Sequence, residues 1–143
     1  MSVTRTLTVA DNPVGVQVTP GGMVYVVCAG SYGDFANPND DTPAKILVID
    51  PVGEAIVDSD FIGGHAMDIA IGNDGIGYVT GATEVLRIDT RIHRVTGPFV
   101  AGGFYGVGVE GVSGDVYLCD PKTYVQPGVV LIYAPNGQLR NLI

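Results

Sequence analysis

Gly22-Met-Val-Tyr25 and, further along, Ile46-Leu-Val-Ile-Asp50 form a pair of segments that recurs twice in the chain. The later copies are Gly75-Ile-Gly-Tyr78 with Val85-Leu-Arg-Ile-Asp89, and Gly114-Asp-Val-Tyr117 with Val130-Leu-Ile-Tyr133. The tyrosine recurs after 53 and then 39 residues, a spacing in the range of one four-stranded propeller blade. Runs of Val, Ile and Tyr alternate with Gly and Pro turns, and no amphipathic helical pattern persists. The sequence therefore predicts an all-β chain, a β-propeller segment of three four-stranded blades.

The repeat divides the chain into a lead-in and three blades. The expected boundaries are 1–12 for the lead-in, 13–62 for blade 1, 63–101 for blade 2 and 102–143 for blade 3. The expected inner strands are Val14–Val18, Ala66–Ile71 and Tyr105–Val109. The lead-in has the character of one extra outer strand at Thr4–Val9.

Ring closure is a problem for three blades, because a propeller needs four to eight. Two apolar blade faces are left that need cover. Two solutions are open: a homodimer that closes a six-bladed ring, or a longer propeller whose N-terminal blades precede this C-terminal part.

Composition limits the class of partner. The chain has 143 residues, 46% of them hydrophobic, which predicts a folded core. Its net charge is −8 with seven Lys and Arg residues, which argues against binding nucleic acid. No apolar run approaches the roughly 20 residues that cross a bilayer, so membrane insertion is not expected. No signal peptide is recognised in this sequence, so a secreted, periplasmic or cell-surface location requires a longer precursor.

Several structural motifs resemble a known family. Val24-Tyr-Val-Val27, Ile46-Leu-Val-Ile-Asp-Pro51 and Ile62-Gly-Gly64 resemble the YVTN-type repeat of surface-layer and YncE-like propellers. The third repeat, from Tyr105 to Leu139, is similar to the closing blade of DUF5074-type cell-envelope propellers. The resemblance implies a secreted or surface-associated protein that is mostly non-enzymatic. These motifs consist of strand and turn residues, so they indicate fold more than function.

One rim of the propeller is expected to carry the binding surface. The blade path places the tight turns on the lower rim and the long loops 29–44 and 120–127, with the corners between blades, on the upper rim. Loops held by a rigid scaffold are where binding residues are expected. The predicted ligand- or partner-binding residues are Tyr32, Asp34, Phe35, His65, Phe104, Tyr105 and Tyr124. The aromatic residues among them are expected to be exposed.

No cofactor is predicted, with calcium as the alternative. Asp34, Asp40 and Asp41 supply oxygen ligands in the first long loop, but their spacing lacks the register of an EF-hand. His65 and His93 are the only histidines, which excludes a site with several histidines in one chain. Cys28 and Cys119 are separated by a whole repeat and are predicted to be free thiols.

Two functions remain open. The first is a non-catalytic binding or scaffold module of the bacterial cell envelope, which presents its upper rim to a protein or carbohydrate partner. The alternative is a hydrolase of the lactonase or gluconolactonase type, with a metal at the channel mouth that activates water. Asp68 and Glu110 are the carboxylates expected nearest the axis, and no catalytic residue is assigned. Asp50 and Asp89 are interpreted as turn residues, and the structural role given to Tyr25, Tyr78 and Tyr117 is packing between blades.

Overall fold

The structure, a computed structural model, describes residues 3, 5–33 and 37–143, and almost all of its regular structure is β. The strands are β1 (Pro13–Val18), β2 (Val24–Cys28), β3 (Ala44–Asp50), β4 (Ala55–Gly63), β5 (Ala66–Ile71), β6 (Ile76–Gly81), β7 (Glu84–Asp89), β8 (Arg94–Ala101), β9 (Gly106–Val109), β10 (Val116–Asp120), β11 (Val129–Tyr133) and β12 (Leu139–Leu142). A short 3-10 helix, Pro38–Asp40, lies between β2 and β3. Across these residues, no helix has the length and apolar character needed to cross a membrane.

The strands form three antiparallel sheets of four, in the orders β1-β2-β3-β4, β5-β6-β7-β8 and β9-β10-β11-β12. These sheets are blade 1, blade 2 and blade 3. Strand β5 packs against both β1 and β9, so the first strands of the blades lie side by side. This arrangement confirms the predicted propeller segment and the register of its inner strands.

The extra outer strand expected at Thr4–Val9 does not form in the part that is described, because residues 5–9 belong to no strand. Residues 5–10, the N-terminal strap, lie on the face of blade 1 that points away from blade 2. There Val9 and Ala10 pack against a cluster that contains Val26, Cys28 and Leu47. Arg5 at the other end of the strap forms an ion pair with Glu54, at 2.7 Å between Nη1 and Oε2.

The core consists of two layers between the blades. Alternate residues of a strand point to opposite faces, so each blade contributes one apolar set to each neighbour. The layer between blades 1 and 2 includes Tyr25, Val27, Ile46, Val48, Ile69, Val79 and Ile88. The layer between blades 2 and 3 includes Ile76, Tyr78, Val85, Phe104, Val116 and Leu118.

Two of the recurring tyrosines pack between blades as predicted. Tyr25 is 1% exposed, and its hydroxyl donates to the Thr90 carbonyl at 3.3 Å and lies 2.5 Å from His93 Nδ1. Burial is the main reason why the pKa of Tyr25 rises to about 12. Tyr78 packs edge-on against Phe99, with ring centroids 4.6 Å apart. Tyr117 differs: it is only half-buried, since its face of blade 3 meets no other blade among the described residues.

The recurring aspartates are turn residues, as predicted. Asp50 Oδ1 accepts from the Val52 N–H at 2.8 Å, and Asp89 Oδ1 accepts from the Arg91 N–H at 3.0 Å. The Arg91 side chain also donates to Asp89, which is the first cause of a pKa of about 2 for that carboxyl. These carboxylates hold the lower turns in shape and are not free for chemistry.

Candidate functional site

The upper rim is built from the connections that follow the second strand of each blade and from the corners between blades. Blades 1 and 3 have long second connections, over residues 29–43 and 121–128, whereas blade 2 has only residues 82 and 83 between β6 and β7. The rim is therefore low above blade 2 and high on either side of it. Each raised side carries a pair of aromatic rings.

Tyr32 and His65 form the first pair. Their rings are stacked, with centroids 3.4 Å apart and planes inclined by 22°. His65 Nδ1 lies 3.0 Å from the Ala29 carbonyl oxygen. Because a carbonyl only accepts, Nδ1 carries a proton in this contact, and in the neutral imidazole Nε2 is then the acceptor. The pair thus offers a rigid ring surface, with Tyr32 48% exposed, next to one hydrogen-bond acceptor.

Tyr105 and Tyr124 form the second pair. Their rings meet edge to face, 5.8 Å apart at 88°, and the Tyr124 hydroxyl donates to the Tyr105 hydroxyl at 2.9 Å. This hydrogen bond is the first cause that raises the pKa of Tyr124, because it stabilises the protonated phenol. Tyr124 is 71% exposed and Tyr105 49% exposed. The second pair is the largest exposed aromatic surface on the described part of the rim.

The loop that presents Tyr124 is held in an unusual backbone conformation. Lys122 and Tyr124 have φ of 56° and 63°, in the left-handed region that side chains rarely adopt. Asp120 stabilises this turn, since its carboxylate accepts from the Lys122 N–H at 2.7 Å and from Lys122 Nζ at 2.8 Å. The Lys122 side chain is the first cause that lowers the pKa of Asp120. Positive φ at two non-glycine positions of an exposed loop is a conformational cost that often accompanies a functional surface.

A groove crosses the low part of the rim between the two aromatic pairs. It consists of two cavities, one towards blade 1 and one towards blade 3, which share Gly81 and Ala82 as lining residues and have volumes of about 130 and about 320 Å³. The first is lined by His65, Thr83 and Glu84 among others. The second is lined by Met67, Gly103, Phe104, Tyr105, Lys122 and Tyr124 among others. We call this feature the rim groove.

The structure describes five of the seven predicted rim residues and brings four of them to the ends of the rim groove: Tyr32, His65, Tyr105 and Tyr124. Phe104 is also at this level, but it is only 5% exposed and packs with Val116 and Leu118. The expectation that Phe104 forms exposed contact surface is therefore wrong. Its ring closes the top of the core between blades 2 and 3. Asp34 and Phe35 lie outside the described residues.

The weak metal candidates do not form a recognisable site within the described residues. Asp40 belongs to the 3-10 helix, whose first turn is capped by Asn37. Asp41 lines a third cavity with Gly63, Gly64 and His65, and the last two of these also line the first cavity of the rim groove. Among residues 3, 5–33 and 37–143, no group of three or more His, Cys, Asp or Glu side chains is arranged to hold a metal ion.

Asp68 and Glu110 are both occupied by backbone amides. Asp68 Oδ1 accepts from the Ile69 N–H at 2.8 Å, and its Oδ2 accepts from the Val107 N–H at 3.1 Å, which ties β5 to β9. Glu110 Oε2 accepts from the N–H groups of Val112 and Ser113 in the lower turn, which lowers its pKa. The two carboxylates brace different ends of the inner strands and do not form an acid–base pair.

Sequence reasoning missed the floor of the groove: Met67, Gly81, Ala82, Thr83 and Glu84. These residues carry no motif, so they attract no attention one by one. A comparison of loop lengths between repeats contains the signal, because blade 2 alone lacks a long second connection.

No protein-family model matches this chain, and no curated protein matches it in sequence. Solved structures with a similar fold include the hydrazine synthase of Kuenenia stuttgartiensis, with a TM-score of 0.70 and 12% identity over 99% of this chain and 38% of that one. A quinonprotein alcohol dehydrogenase-like protein of Bacteroides thetaiotaomicron has a TM-score of 0.70 and 12% identity over 95% of this chain and 35% of that one. The β-propeller domain of the Trilobed protease of Pyrococcus furiosus has a TM-score of 0.60 and 14% identity over 95% of this chain and 44% of that one.

Identities this low are informative about fold alone. This chain spans about two fifths of the length of these three chains. Together with the three four-stranded sheets, the comparisons establish the fold of the chain as that of a β-propeller segment.

Proposed function

We propose that this chain is a non-catalytic binding module and that its rim groove binds a carbohydrate chain. The observation that carries the proposal is a pair of aromatic rings at each end of the rim groove, whose two cavities share Gly81 and Ala82 as lining residues. Ring faces stack on the apolar faces of sugar rings, and the small floor residues let an extended chain pass close to the backbone.

The rim groove also holds polar groups in fixed orientations, which favours a carbohydrate ligand over a protein partner with a flat surface. The tyrosine hydroxyls are linked at 2.9 Å, and His65 Nε2 is an acceptor at the other end of the groove. Glu84, which is exposed, lines the same floor and can accept from sugar hydroxyls. A protein partner is the competing class.

Location and family belong to the same proposal. We place the module in the bacterial cell envelope, in a secreted or surface-associated protein related to the YVTN and DUF5074-type propellers. The strand and turn motifs around Val24-Tyr-Val-Val27 and Ile46–Pro51 support this assignment. Detection of the native protein in cell-surface or culture fractions tests it independently of the ligand.

The test of binding uses soluble cello-, chito- and manno-oligosaccharides as probes in titration calorimetry or NMR titration. We expect Tyr124→Ala to weaken binding of a probe by roughly tenfold or more, since truncation of an aromatic residue at the centre of a binding site costs about 2 kcal/mol or more. Val112→Ala is the control, because Val112 is 95% exposed on the lower rim. Binding that is equally strong in Tyr124→Ala would contradict the groove, and failure of all probes would shift the proposal to a protein partner.

A further inference from the structure

In the part of the chain that the structure describes, one face of blade 3 and one face of blade 1 have no other blade packed on them. These two faces support an inference that is independent of the rim groove. The first two strands of each blade pair in the same way, so a core position in one blade has an equivalent position in the other two. Tyr25 pairs with Gln17, Tyr78 with Ala70 and Tyr117 with Gly108, so the three tyrosines hold the same place. By the same pairing, Val27, Thr80 and Cys119 are equivalent.

The face of blade 3 that carries Tyr117 corresponds to the faces of blades 1 and 2 that carry Tyr25 and Tyr78, and both of those faces are buried. Tyr25 and Tyr78 are 1% and 2% exposed, because the next blade covers each of them. Thr80 is fully buried, whereas Cys119 in the same place is exposed and Tyr117 is half-buried. Blade 3 thus presents the face on which another blade packs, without a blade on it.

Blade 1 presents the matching face. Val16 pairs with Val26, as Ile69 pairs with Val79 in blade 2, so Val16 holds the place of a residue that blade 1 covers. Ile69 is 1% exposed, but Val16 and its neighbour Val18 are 62% and 61% exposed. The N-terminal strap covers Val26 and Cys28 towards the upper rim and reaches the lower turn through the Arg5–Glu54 ion pair, but it leaves these valines open.

The lower turn of blade 1 also matches the lower turn of blade 2 that Tyr25 contacts. Tyr25 reaches the turn of blade 2 between β7 and β8, where its hydroxyl contacts Thr90 and His93. The equivalent turn of blade 1 runs from Asp50 to Glu54, and Glu54 has a φ of 49° where His93 has 53°. A second Tyr117 packed on this face therefore has its hydroxyl next to the carbonyl of residue 51 and close to Glu54, whose side chain is paired with Arg5 of the strap in the single chain.

We propose that a second copy of this chain docks head to tail, with the Tyr117 and Cys119 face of blade 3 on the Val16 and Val18 face of blade 1. Two such contacts related by a two-fold axis close a ring of six blades, a number within the range of known propellers. The occupant is a second copy because this chain itself holds both halves of the contact, in the register by which its own blades pack. Docking also encloses the cavity on blade 3 lined by Tyr105, Cys119, Pro121 and Ile143 among others.

The test is the mass of the intact chain by sedimentation velocity and multi-angle light scattering, from low micromolar to near-millimolar concentration. We expect a closed dimer of two 14.9 kDa chains. Val16→Arg and Cys119→Arg each place a charge on a side chain that is exposed in the single chain, so both variants are expected to fold. Each is expected to raise the dimer dissociation constant at least about tenfold. Val112→Arg, the matched change outside the contact, is expected to leave it unchanged.

Mixing the two variants distinguishes a head-to-tail contact from a symmetric patch. A dimer of one Val16→Arg chain and one Cys119→Arg chain has one junction with both wild-type faces, so the mixture is expected to associate more tightly than either variant alone. Alkylation of Cys119 in the wild-type chain is expected to slow as concentration rises. A monomer at every concentration, a dimer that both arginine variants retain, or a mass that grows beyond two chains would overturn the proposal.

Discussion

At the scale of single residues, Tyr25 shows why some side chains are predictable from sequence and others are not. Its recurrence at Tyr78 and Tyr117 indicates packing between blades, because a repeated large side chain is a repeated core position. Its hydroxyl bonds to the turn of the next blade at Thr90 and His93, 65 and 68 residues away, could not be predicted. They depend on how two blades are rotated against each other, which no local pattern records.

Tyr25→Phe is expected to lower the free energy of unfolding by about 1–2 kcal/mol at neutral pH, because the ring stays buried while its hydroxyl bonds are lost. Urea unfolding followed by circular dichroism measures the difference. Tyr117→Phe is the control: the Tyr117 hydroxyl makes no hydrogen bond within the described part of the chain. At dilution it is expected to have no effect.

The same pair of proteins gives a pH test. The folded pKa of Tyr25 is about 12, above the unfolded value of 10.0, so its contribution to stability is complete below pH 10 and is lost as pH rises towards 12. The stability difference between wild type and Tyr25→Phe is therefore expected to shrink over this range. A difference that stays constant to pH 12 would contradict the burial of this phenol.

A residue's role could be predicted from the sequence where its contacts lie within the same turn. Asp50 and Asp89 bond to amides two residues ahead, so their roles follow from the turn sequence alone. Asp68 instead bonds to Val107 of another blade, and Phe104 is buried by Val116 and Leu118. Both outcomes depend on contacts between blades, which is why the sequence did not predict the bond of Asp68 to Val107 and suggested an exposed ring at Phe104.

At the scale of elements, the rim groove arises from unequal loops on equal blades. The strand repeats could be predicted because each repeats the same alternation and turn signals. The loops do not repeat, and the sequence indicates only that they are long and lie on one rim. Their conformation depends on particular contacts, such as the two backbone hydrogen bonds between Ser31 and Thr42 that close the base of the first loop.

Gly30 is expected to be essential at the base of this loop. It has a φ of +79°, and a Cβ added to it would lie 2.1 Å from the Thr42 carbonyl oxygen. Gly30→Ala is therefore expected to lower the free energy of unfolding by roughly 3 kcal/mol or more, since strain and collision combine.

The matched control is Gly22→Ala in the lower turn of blade 1. Gly22 has a φ of +86° with nothing within 4 Å of an added Cβ, so only the backbone cost of about 1–2 kcal/mol is expected. Urea denaturation of both variants separates the cost of the backbone conformation from the cost of the collision with the Thr42 carbonyl. Equal losses in the two proteins would show that the collision at Gly30 is relieved by movement of the loop.

At the scale of the whole molecule, the sequence correctly predicted that three blades leave two faces uncovered by a blade. The extra outer strand that it also predicted at Thr4–Val9 does not form among the described residues. The two faces are apolar, and the strand-like character of Thr4–Val9 suggested the extra outer strand. The structure instead uses this segment as the N-terminal strap, which covers the apolar cluster around Val26, Cys28 and Leu47 without strand pairing. Strand-like residues alone do not specify a strand, because strand propensity depends on the neighbours against which the side chains pack.

The strap is expected to stabilise blade 1 and to shield the thiol of Cys28. Burial is the first cause that raises the pKa of Cys28, which keeps the thiol protonated and slow to react. Val9→Asp places a charge against the apolar cluster, so it is expected to lower the free energy of unfolding by about 1–2 kcal/mol and to speed alkylation of Cys28 in the native chain. Val3→Asp is the control, since Val3 is 85% exposed. Peptide mapping after timed alkylation separates Cys28 from Cys119, and an unchanged Cys28 rate in Val9→Asp would mean that the blade alone, without the strap, buries this thiol.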